Sequence, residues 1–209
     1  MIRCLPVRGF MEVNCYLWGD EETRHGFLID PGARGEDLLD CCEDQGWVIE
    51  KILLTHGHFD HIGGIAAIRK KKEIPVLIHE AGLRFLADPR LNLSAFFGGP
   101  FTVPDALSFR DGARFSLESN PAFTLQVIHT PGHTPDSVLF YDEPRKEALT
   151  GDTIFLGSRG NDRFPGGNGE LLLRSIRERV LTLPEDTRLY SGHSDPTTVR
   201  AEKPLYLPI

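Results

Sequence analysis

The chain has 209 residues, enough to bury a sizeable hydrophobic core, and we expect one domain over residues 1–209. Hydrophobic residues make up 40% and charged residues 25%, which is typical of a globular protein. The net charge of −7 argues against nucleic acid as the main partner, because phosphate binding needs a basic surface. There is no apolar signal core and no run of roughly 18 apolar residues, so we expect a cytoplasmic protein without a membrane partner.

The residue pattern in the first half of the chain predicts strands followed by helices. Short apolar runs separated by turn residues predict antiparallel strands around Ile2–Leu5, Cys15–Trp18 and Phe27–Ile29. A surface helix is predicted from Glu36 to Gln45 and ends at Gly46. Further along, the pattern predicts a buried strand at Lys51–Leu54, a strand at Pro75–Ile78 and a short helix at Ala81–Ala87.

A dense group of metal-ligand residues follows the strand 51–54, in the sequence Thr-His-Gly-His-Phe-Asp-His. In an extended segment side chains two apart point the same way, so His56 and His58 can reach one ion. Asp60 and His61 lie past the bend, where a helix begins after Gly63–Gly64, and can turn toward a second ion. This turn therefore predicts a metal site, and its four ligands allow two ions.

In the second half, each predicted strand is followed by one further ligand-type residue. Phe123–Ile128 precedes His133, Ala148–Thr150 precedes Asp152, and Arg188–Tyr190 precedes His193. An amphipathic helix is predicted at Leu171–Leu183. The simplest architecture is two sheets sandwiched between helices, with the strand ends of both halves meeting at one edge.

The motifs THGHFDH, TPGHTPDS, TGDTIF and SGHS, in this order, resemble the metallo-β-lactamase superfamily. Within it, the chain resembles the short glyoxalase II-like hydrolases, and the likeness includes DPRLNLS and FPGG. The resemblance implies a four-layer αββα sandwich with the metal site at one edge. It also implies a ligand set in which the first metal has His56, His58 and His133, the second has Asp60, His61 and His193, and Asp152 bridges them.

The ligand chemistry implies two divalent ions per chain. A set of nitrogen and oxygen ligands suits zinc and also accepts iron or manganese. A bound metal lowers the pKa of its water toward ~7 and supplies hydroxide, while a second ion polarises a carbonyl group. Asp60 and Asp152 are the predicted catalytic carboxylates, acting through the metals, and no GxSxG or CxxC motif competes with them.

The leading hypothesis is a metal-dependent hydrolase of a small acyl compound, with a hydroxyacyl thioester as the first candidate, acting through a metal-bridging hydroxide. One alternative is an iron-dependent persulfide dioxygenase of the same fold, which uses a His–His–Asp set at a single iron. Another is a metal-binding scaffold without catalysis. A lactamase is disfavoured, because such enzymes usually lack the histidine found here at His61 and often use a later cysteine, where this chain has Asp152.

Two loop regions bear on the substrate. Arg159 and Arg163 are predicted to clamp a carboxylate of an anionic substrate through paired hydrogen bonds. The alternative is an internal ion pair, for instance of Arg163 with Asp162 or Asp136. Phe96 and Phe97, in the segment 88–104, either line a pocket or anchor the loop on the core, and the second interpretation is favoured.

Overall fold

The first half of the protein forms a six-stranded sheet. The computed structural model describes residues 1–207. The strands follow one another across the sheet in chain order; they are Ile2–Arg8 (β1), Glu12–Asp20 (β2), His25–Ile29 (β3), Val48–Leu53 (β4), Val76–His79 (β5) and Leu107–Phe109 (β6). The first three are antiparallel, with Leu5 opposite Cys15, whereas β3 to β6 run parallel. Parallel strands require crossover connections, which here contain the helices Gly35–Glu43 (α1), Phe59–Ile62 (α2), Ile65–Lys71 (α3) and Leu83–Ala87 (α4).

The second half forms a matching sheet. Its strands are Arg114–Ser116 (β7), Thr124–His129 (β8), Val138–Asp142 (β9), Glu147–Gly151 (β10), Arg188–Ser191 (β13) and Thr197–Thr198 (β14). Between β10 and β13 the chain forms a separate small hairpin of Ile154–Phe155 (β11) with Ser158–Arg159 (β12). The order across the sheet is β14-β13-β10-β9-β8-β7, and only β10 and β13 are parallel. Two helices belong to this half, Gly169–Ser175 (α5) and Val199–Tyr206 (α6).

Both helices begin at a polar residue that caps the helix. Asn168 accepts a hydrogen bond from the backbone N–H of Leu171, and Thr198 accepts one from Ala201. Such caps satisfy a backbone donor that has no partner inside the helix, which stabilises a helix by about 1 kcal/mol. After α5 the chain continues as a π-helical turn at Ile176–Val180. The helix predicted at Leu171–Leu183 therefore exists, but it begins earlier, changes its winding and ends at Val180.

Three hydrophobic clusters define the layers. The central one joins the facing sides of the two sheets through residues that include Trp18, Phe27, Val127 and Phe140. A second packs α1 and α3 against the outer face of the first sheet, and a third packs α5 and α6 against the outer face of the second. The order of layers is helix, sheet, sheet, helix, which confirms the αββα fold. Full burial of an aromatic or large aliphatic side chain contributes about 1.5–3 kcal/mol, so the central cluster fixes how the sheets stack.

Within residues 1–207, the helices are all too short or too polar to cross a bilayer. The strands and helices predicted for the first half are present with bounds shifted by up to three residues, except that a 3₁₀ turn at Glu80–Gly82 precedes α4. The strands β6, β7, β9, β11, β12 and β14 and the helices α2 and α6 were not predicted.

Candidate metal centre

Seven side chains from four strand ends meet at one edge of the two sheets. His56 and His58 lie in the loop after β4, and Asp60 and His61 follow in α2. His133 lies in the loop after β8, Asp152 directly follows β10, and His193 lies in the loop after β13. Three sets of their ligand atoms converge within 4.8 Å, namely His56, His58 and His133; His56, His61 and Asp152; and Asp60, His61 and His193. The structure thus brings together the whole ligand set that the resemblance implies.

The first set consists of three imidazole nitrogens that face one another. His133 Nε2 lies 3.2 Å from His56 Nε2 and 3.0 Å from His58 Nδ1, and those two atoms are 3.2 Å apart. All three side chains are buried. Tetrahedral zinc with Zn–N bonds of 2.0–2.1 Å would hold its nitrogens about 3.3 Å apart. The spacing and the direction of these atoms therefore fit a divalent ion.

The second set combines two histidines with a carboxylate. His193 Nε2 lies 3.1 Å from Asp60 Oδ2 and 3.4 Å from His61 Nε2. Asp152 lies between the two sets: its Oδ1 is 3.4 Å from His61 Nε2, and its Oδ2 is 3.6 Å from His133 Nε2. One carboxylate therefore faces both groups of ligands, which is the arrangement that a bridging ligand requires.

Asp30 orients His61, and the sequence analysis did not identify it. Its Oδ2 lies 2.9 Å from His61 Nδ1 and also accepts a hydrogen bond from the Thr55 hydroxyl at 2.6 Å, while Oδ1 accepts one from the Thr55 N–H at 2.8 Å. Since the carboxylate accepts, Nδ1 of His61 donates to it, and Nε2 is the nitrogen that faces the cluster. Asp30 has φ 51°, a left-handed conformation that aspartate tolerates better than most residues. The available signal was the position of Asp30 at the end of a buried strand.

Backbone carbonyl groups orient two further ligands. Nδ1 of His133 lies 2.7 Å from the Asn161 carbonyl oxygen, and Nδ1 of His193 lies 2.8 Å from the Glu12 carbonyl oxygen. A carbonyl only accepts, so each Nδ1 donates, and in each of these histidines Nε2 is the nitrogen that faces the cluster. Any residue supplies such a carbonyl, so sequence motifs do not reveal these contacts.

The protonation states match a cation site. Burial lowers the pKa of His56 well below its usual value and that of His58 to about 3, so both are neutral. Burial opposes the charge on Asp152, but His61 beside it holds the pKa of that carboxyl well below its usual range. Burial also opposes the charge on His61, but Asp152 and Asp30 raise its pKa well above its usual value. His56, His58 and Asp152 are thus already in the forms that bind a metal, whereas His61 is cationic without an ion and would lose its Nε2 proton when a metal binds.

An unpaired carboxylate oxygen also indicates that the cluster binds a metal ion. Oδ1 of Asp152 is buried and has no hydrogen-bond partner among residues 1–207. A buried charged oxygen without a partner is costly, and a metal ion bound to it would remove that cost. The cluster thus fits the divalent ions by spacing, protonation and an unpaired ligand atom.

Two glycines allow backbone and ligands to lie in direct contact. A Cβ on Gly32 would collide with the carbonyl oxygen of Asp60, and one on Gly192 would collide with Asp152 Oδ1 and lie 2.7 Å from His61 Cε1. Only glycine leaves room at these positions. The turn that holds Asp60 and His61 therefore rests directly on the backbone that follows β3.

The two arginines predicted to bind substrate lie near the centre but not within its cavity. Arg159 donates a 3.0 Å hydrogen bond to Asp162 and forms an ion pair with it, while Arg163 is exposed. The alternative of an internal ion pair is thus realised by Arg159 with Asp162. Substrate binding by these arginines stays a prediction.

The remaining histidines are separate from the cluster. His25 lies 2.7 Å from Glu50, and His129 stacks on His79 with ring centroids 4.1 Å apart. His129 Nε2 contacts the carbonyl oxygen of Pro135 and not His133. We therefore assign these three histidines to the surrounding structure.

Asp136 lies beneath the ligand turn. The side chain is fully buried, and neither carboxylate oxygen makes a hydrogen bond of good geometry within the described chain, although the Thr134 side chain and the Gly57 N–H lie close enough to favour its charged form. A Cβ on Gly82 would lie 2.7 Å from its Oδ2, and one on Gly57 would lie 3.5 Å away. Burial raises the pKa of Asp136 to about 6.

Comparison with known proteins decides the family. The profile described as the metallo-beta-lactamase superfamily matches residues 8–193. The chain belongs to this superfamily. Among curated members, it is 38% identical to "Probable metallo-hydrolase YqgX" of Bacillus subtilis over 96% of this chain and 93% of that one. It is 32% identical to "Hydroxyacylglutathione hydrolase GloC" of Haemophilus influenzae over 97% and 94%.

Solved structures of the superfamily agree with this assignment. The BLEG-1 B3 metallo-beta-lactamase has a TM-score of 0.88 at 35% identity, covering 97% of this chain and 96% of that one. TTHA1623 in a di-iron-bound form has a TM-score of 0.83 at 33% identity, covering 98% of both chains. The resemblance drawn from the motifs is thereby confirmed. The superfamily fold binds divalent metals, and this member has the corresponding His/Asp cluster.

Proposed function

We propose that this superfamily member hydrolyses a small acyl thioester at a centre of two divalent ions. The observation that supports the proposal best is Asp152, whose two oxygens face the two ligand sets from 3.4 and 3.6 Å. The similarity to a hydroxyacylglutathione hydrolase over nearly the whole chain supports the reaction class. A hydroxyacyl thioester is accordingly the first substrate to test.

The residues of the chain prepare the centre in three ways. His56, His58 and His133 are held neutral and convergent, and Asp30 directs Nε2 of His61 toward the centre. Two bound ions would supply hydroxide near neutral pH and polarise the thioester carbonyl. The phenylalanines around the centre limit access of bulk water, which strengthens electrostatic interactions inside it.

Metal identity is a separate part of the proposal. We propose zinc on the basis of the nitrogen-rich ligand set, with iron or manganese as alternatives. One solved relative is in a di-iron-bound form, which makes iron the first alternative to measure. The cytoplasmic location and the anionic substrate expected from the sequence also stay predictions. An anionic group would have to lie outside the cavity, since neither Arg159 nor Arg163 lines it.

The test is a parallel assay on the purified protein with its measured metal content. Lactoyl thioesters are followed by thiol release, a β-lactam by ring opening, and glutathione persulfide by oxygen uptake. We expect thiol release that is lost on chelation and restored by added metal. Oxygen uptake without thiol release would favour the dioxygenase, and lactam opening alone would replace the thioesterase by a lactamase. No turnover of any substrate by the metal-loaded protein would favour the scaffold.

A further inference from the structure

A cavity of about 300 Å³ opens directly above the ligands. Apart from the metal ligands and Asn161, its walls consist of apolar side chains, namely Met11, Phe59, Leu93, Phe97, Phe155 and Phe164. Its volume is at the lower end of the roughly 300–1,000 Å³ found for small-molecule sites. The cavity therefore suits a small group and not a large peptide-like one.

Two of the lining rings, Phe59 and Phe97, form one wall and pack against a third phenylalanine, Phe10, outside the cavity. Phe97 stacks on Phe59 with ring centroids 5.1 Å apart and planes at 19°, and its other neighbour is Phe10 at 5.2 Å. Phe10 is at the tip between β1 and β2 and is 66% exposed. Aromatic pairs of this kind contribute about 0.5–1.5 kcal/mol beyond their buried area, so the wall is a defined surface.

Two further rings that line the cavity, Phe155 and Phe164, contact the metal ligands themselves. The Phe164 centroid lies 5.6 Å from that of His58 and 6.4 Å from that of His133. Phe155 packs edge-on against His193 at 6.1 Å. A group bound next to the metals would therefore contact aromatic rings.

The cavity offers no cation of its own to a charged substrate. The charged side chains that line it within the described chain are Asp60 and Asp152, and both are metal ligands. The two nearby arginines are directed elsewhere, because Arg159 pairs with Asp162 and Arg163 is exposed. A carboxylate held between the phenylalanines, away from the metal ligands, would lose its hydration without gaining a protein partner, which is strongly unfavourable.

We infer that the acyl group of the substrate is apolar and uncharged, of the size of a short alkyl chain or one aromatic ring, and binds between Phe97 and Phe164. This inference rests on the proposed thioester hydrolysis. In that reaction the acyl carbon–sulfur bond breaks and water supplies the oxygen of the new carboxyl group. The thiol takes up one proton of the water, and the carboxylic acid releases the other to solvent.

A series of thioesters with one neutral thiol, N-acetylcysteamine, tests the inference on the metal-loaded protein. The acyl groups are acetyl, butyryl, hexanoyl, phenylacetyl and lactoyl, and lactoylglutathione is included. We expect kcat/KM to rise by about fourfold per added methylene from acetyl to hexanoyl, which corresponds to about 0.8 kcal/mol for each buried CH₂. Phenylacetyl is expected to exceed lactoyl.

Matched variants test whether the Phe97 wall causes the preference for longer acyl groups. Phe97→Ala should lower the ratio of hexanoyl to acetyl kcat/KM by about tenfold, and Phe97→Leu, which keeps an apolar surface, should restore most of it. Phe96→Ala is the control, because Phe96 is the adjacent ring, is 66% exposed and does not line the cavity. In Phe96→Ala the ratio of hexanoyl to acetyl kcat/KM should equal that of the unchanged protein.

Hydrolysis with equal kcat/KM for acetyl and hexanoyl, or with lactoylglutathione as the best substrate, would overturn this inference and leave the proposed function in place. A ratio that is unchanged in Phe97→Ala would also overturn it. Absence of hydrolysis for every thioester, acetyl included, would overturn the proposed function and this inference with it.

Discussion

Replacement of the buried carboxyl group of Asp136 by an amide should stabilise the protein above pH 6. Burial raises the pKa of Asp136 from 3.8 to about 6 in the folded state. Between these values the folded state holds a proton that the unfolded state has lost, so folding stability falls as pH rises through this window. At about 1.4 kcal/mol per pKa unit, the ionised side chain costs about 3 kcal/mol above pH 6.

Asp136→Asn cannot ionise, so its free energy of unfolding should exceed that of the unchanged protein by up to about 3 kcal/mol at pH 8. The gain is smaller if the amide N–H groups find no acceptor. The difference should shrink toward pH 4, where both side chains are neutral. Urea denaturation at several pH values measures it, and titration of the metal ligands cancels because both proteins share it.

Asp111→Asn is a control for which we expect the opposite change in the free energy of unfolding. Burial opposes ionisation of Asp111, but the His129 N–H and Arg179 hold the pKa of its carboxyl below the usual value. This variant should therefore lose stability at every pH above about 4. If Asp136→Asn were less stable than the unchanged protein at pH 8, or if its effect did not vary with pH, the assignment of an unpaired, buried carboxyl group would be refuted.

Three further predictions concern the centre. Plasma mass spectrometry should find close to two metal ions per chain, and a single tightly bound iron under metal-replete conditions would contradict the dinuclear proposal. Asp152→Ala should lower thioester hydrolysis by more than about 100-fold with the far-UV circular dichroism retained, whereas His129→Ala, which alters no ligand, should keep the rate. If either Arg159 or Arg163 binds substrate, its change to Ala should raise KM for a thioester with a carboxylate on the thiol side and spare a neutral one. Equal effects on both substrates, or none, would leave these arginines with a structural role.

The ligands could be predicted from the sequence because each group of them begins within five residues of the end of an apolar run. A buried strand and a polar residue at its end are both local signals, so His133, Asp152 and His193 could be placed without knowing the pairing of strands. Asp30 was missed because a single aspartate before Pro-Gly has the pattern of a turn, and its contact with His61 spans 31 residues.

Other elements were missed for different physical reasons. Helix α6 contains Pro204, which normally disfavours a helix interior, so no helix was predicted there. The π-helical turn after α5 has the same apolar face as an ordinary helix, and periodicity does not distinguish the two. Anchoring on the core was the favoured interpretation of Phe96 and Phe97; it is wrong for Phe96, which is exposed, while Phe97 lines the cavity. Their orientation depends on the fold around them.

The contact between Gly32 and the Asp60 carbonyl has a consequence for motion during turnover. Backbone lies on backbone there, and Gly64 donates a 2.8 Å hydrogen bond to the Pro31 carbonyl beside it, so no side chain can rearrange to let the ligand turn shift. Phe10 and Met11, in contrast, form the exposed tip of the hairpin between β1 and β2. We expect substrate entry and product release to depend on movement of that tip, with the ligands acting as the fixed side of the site.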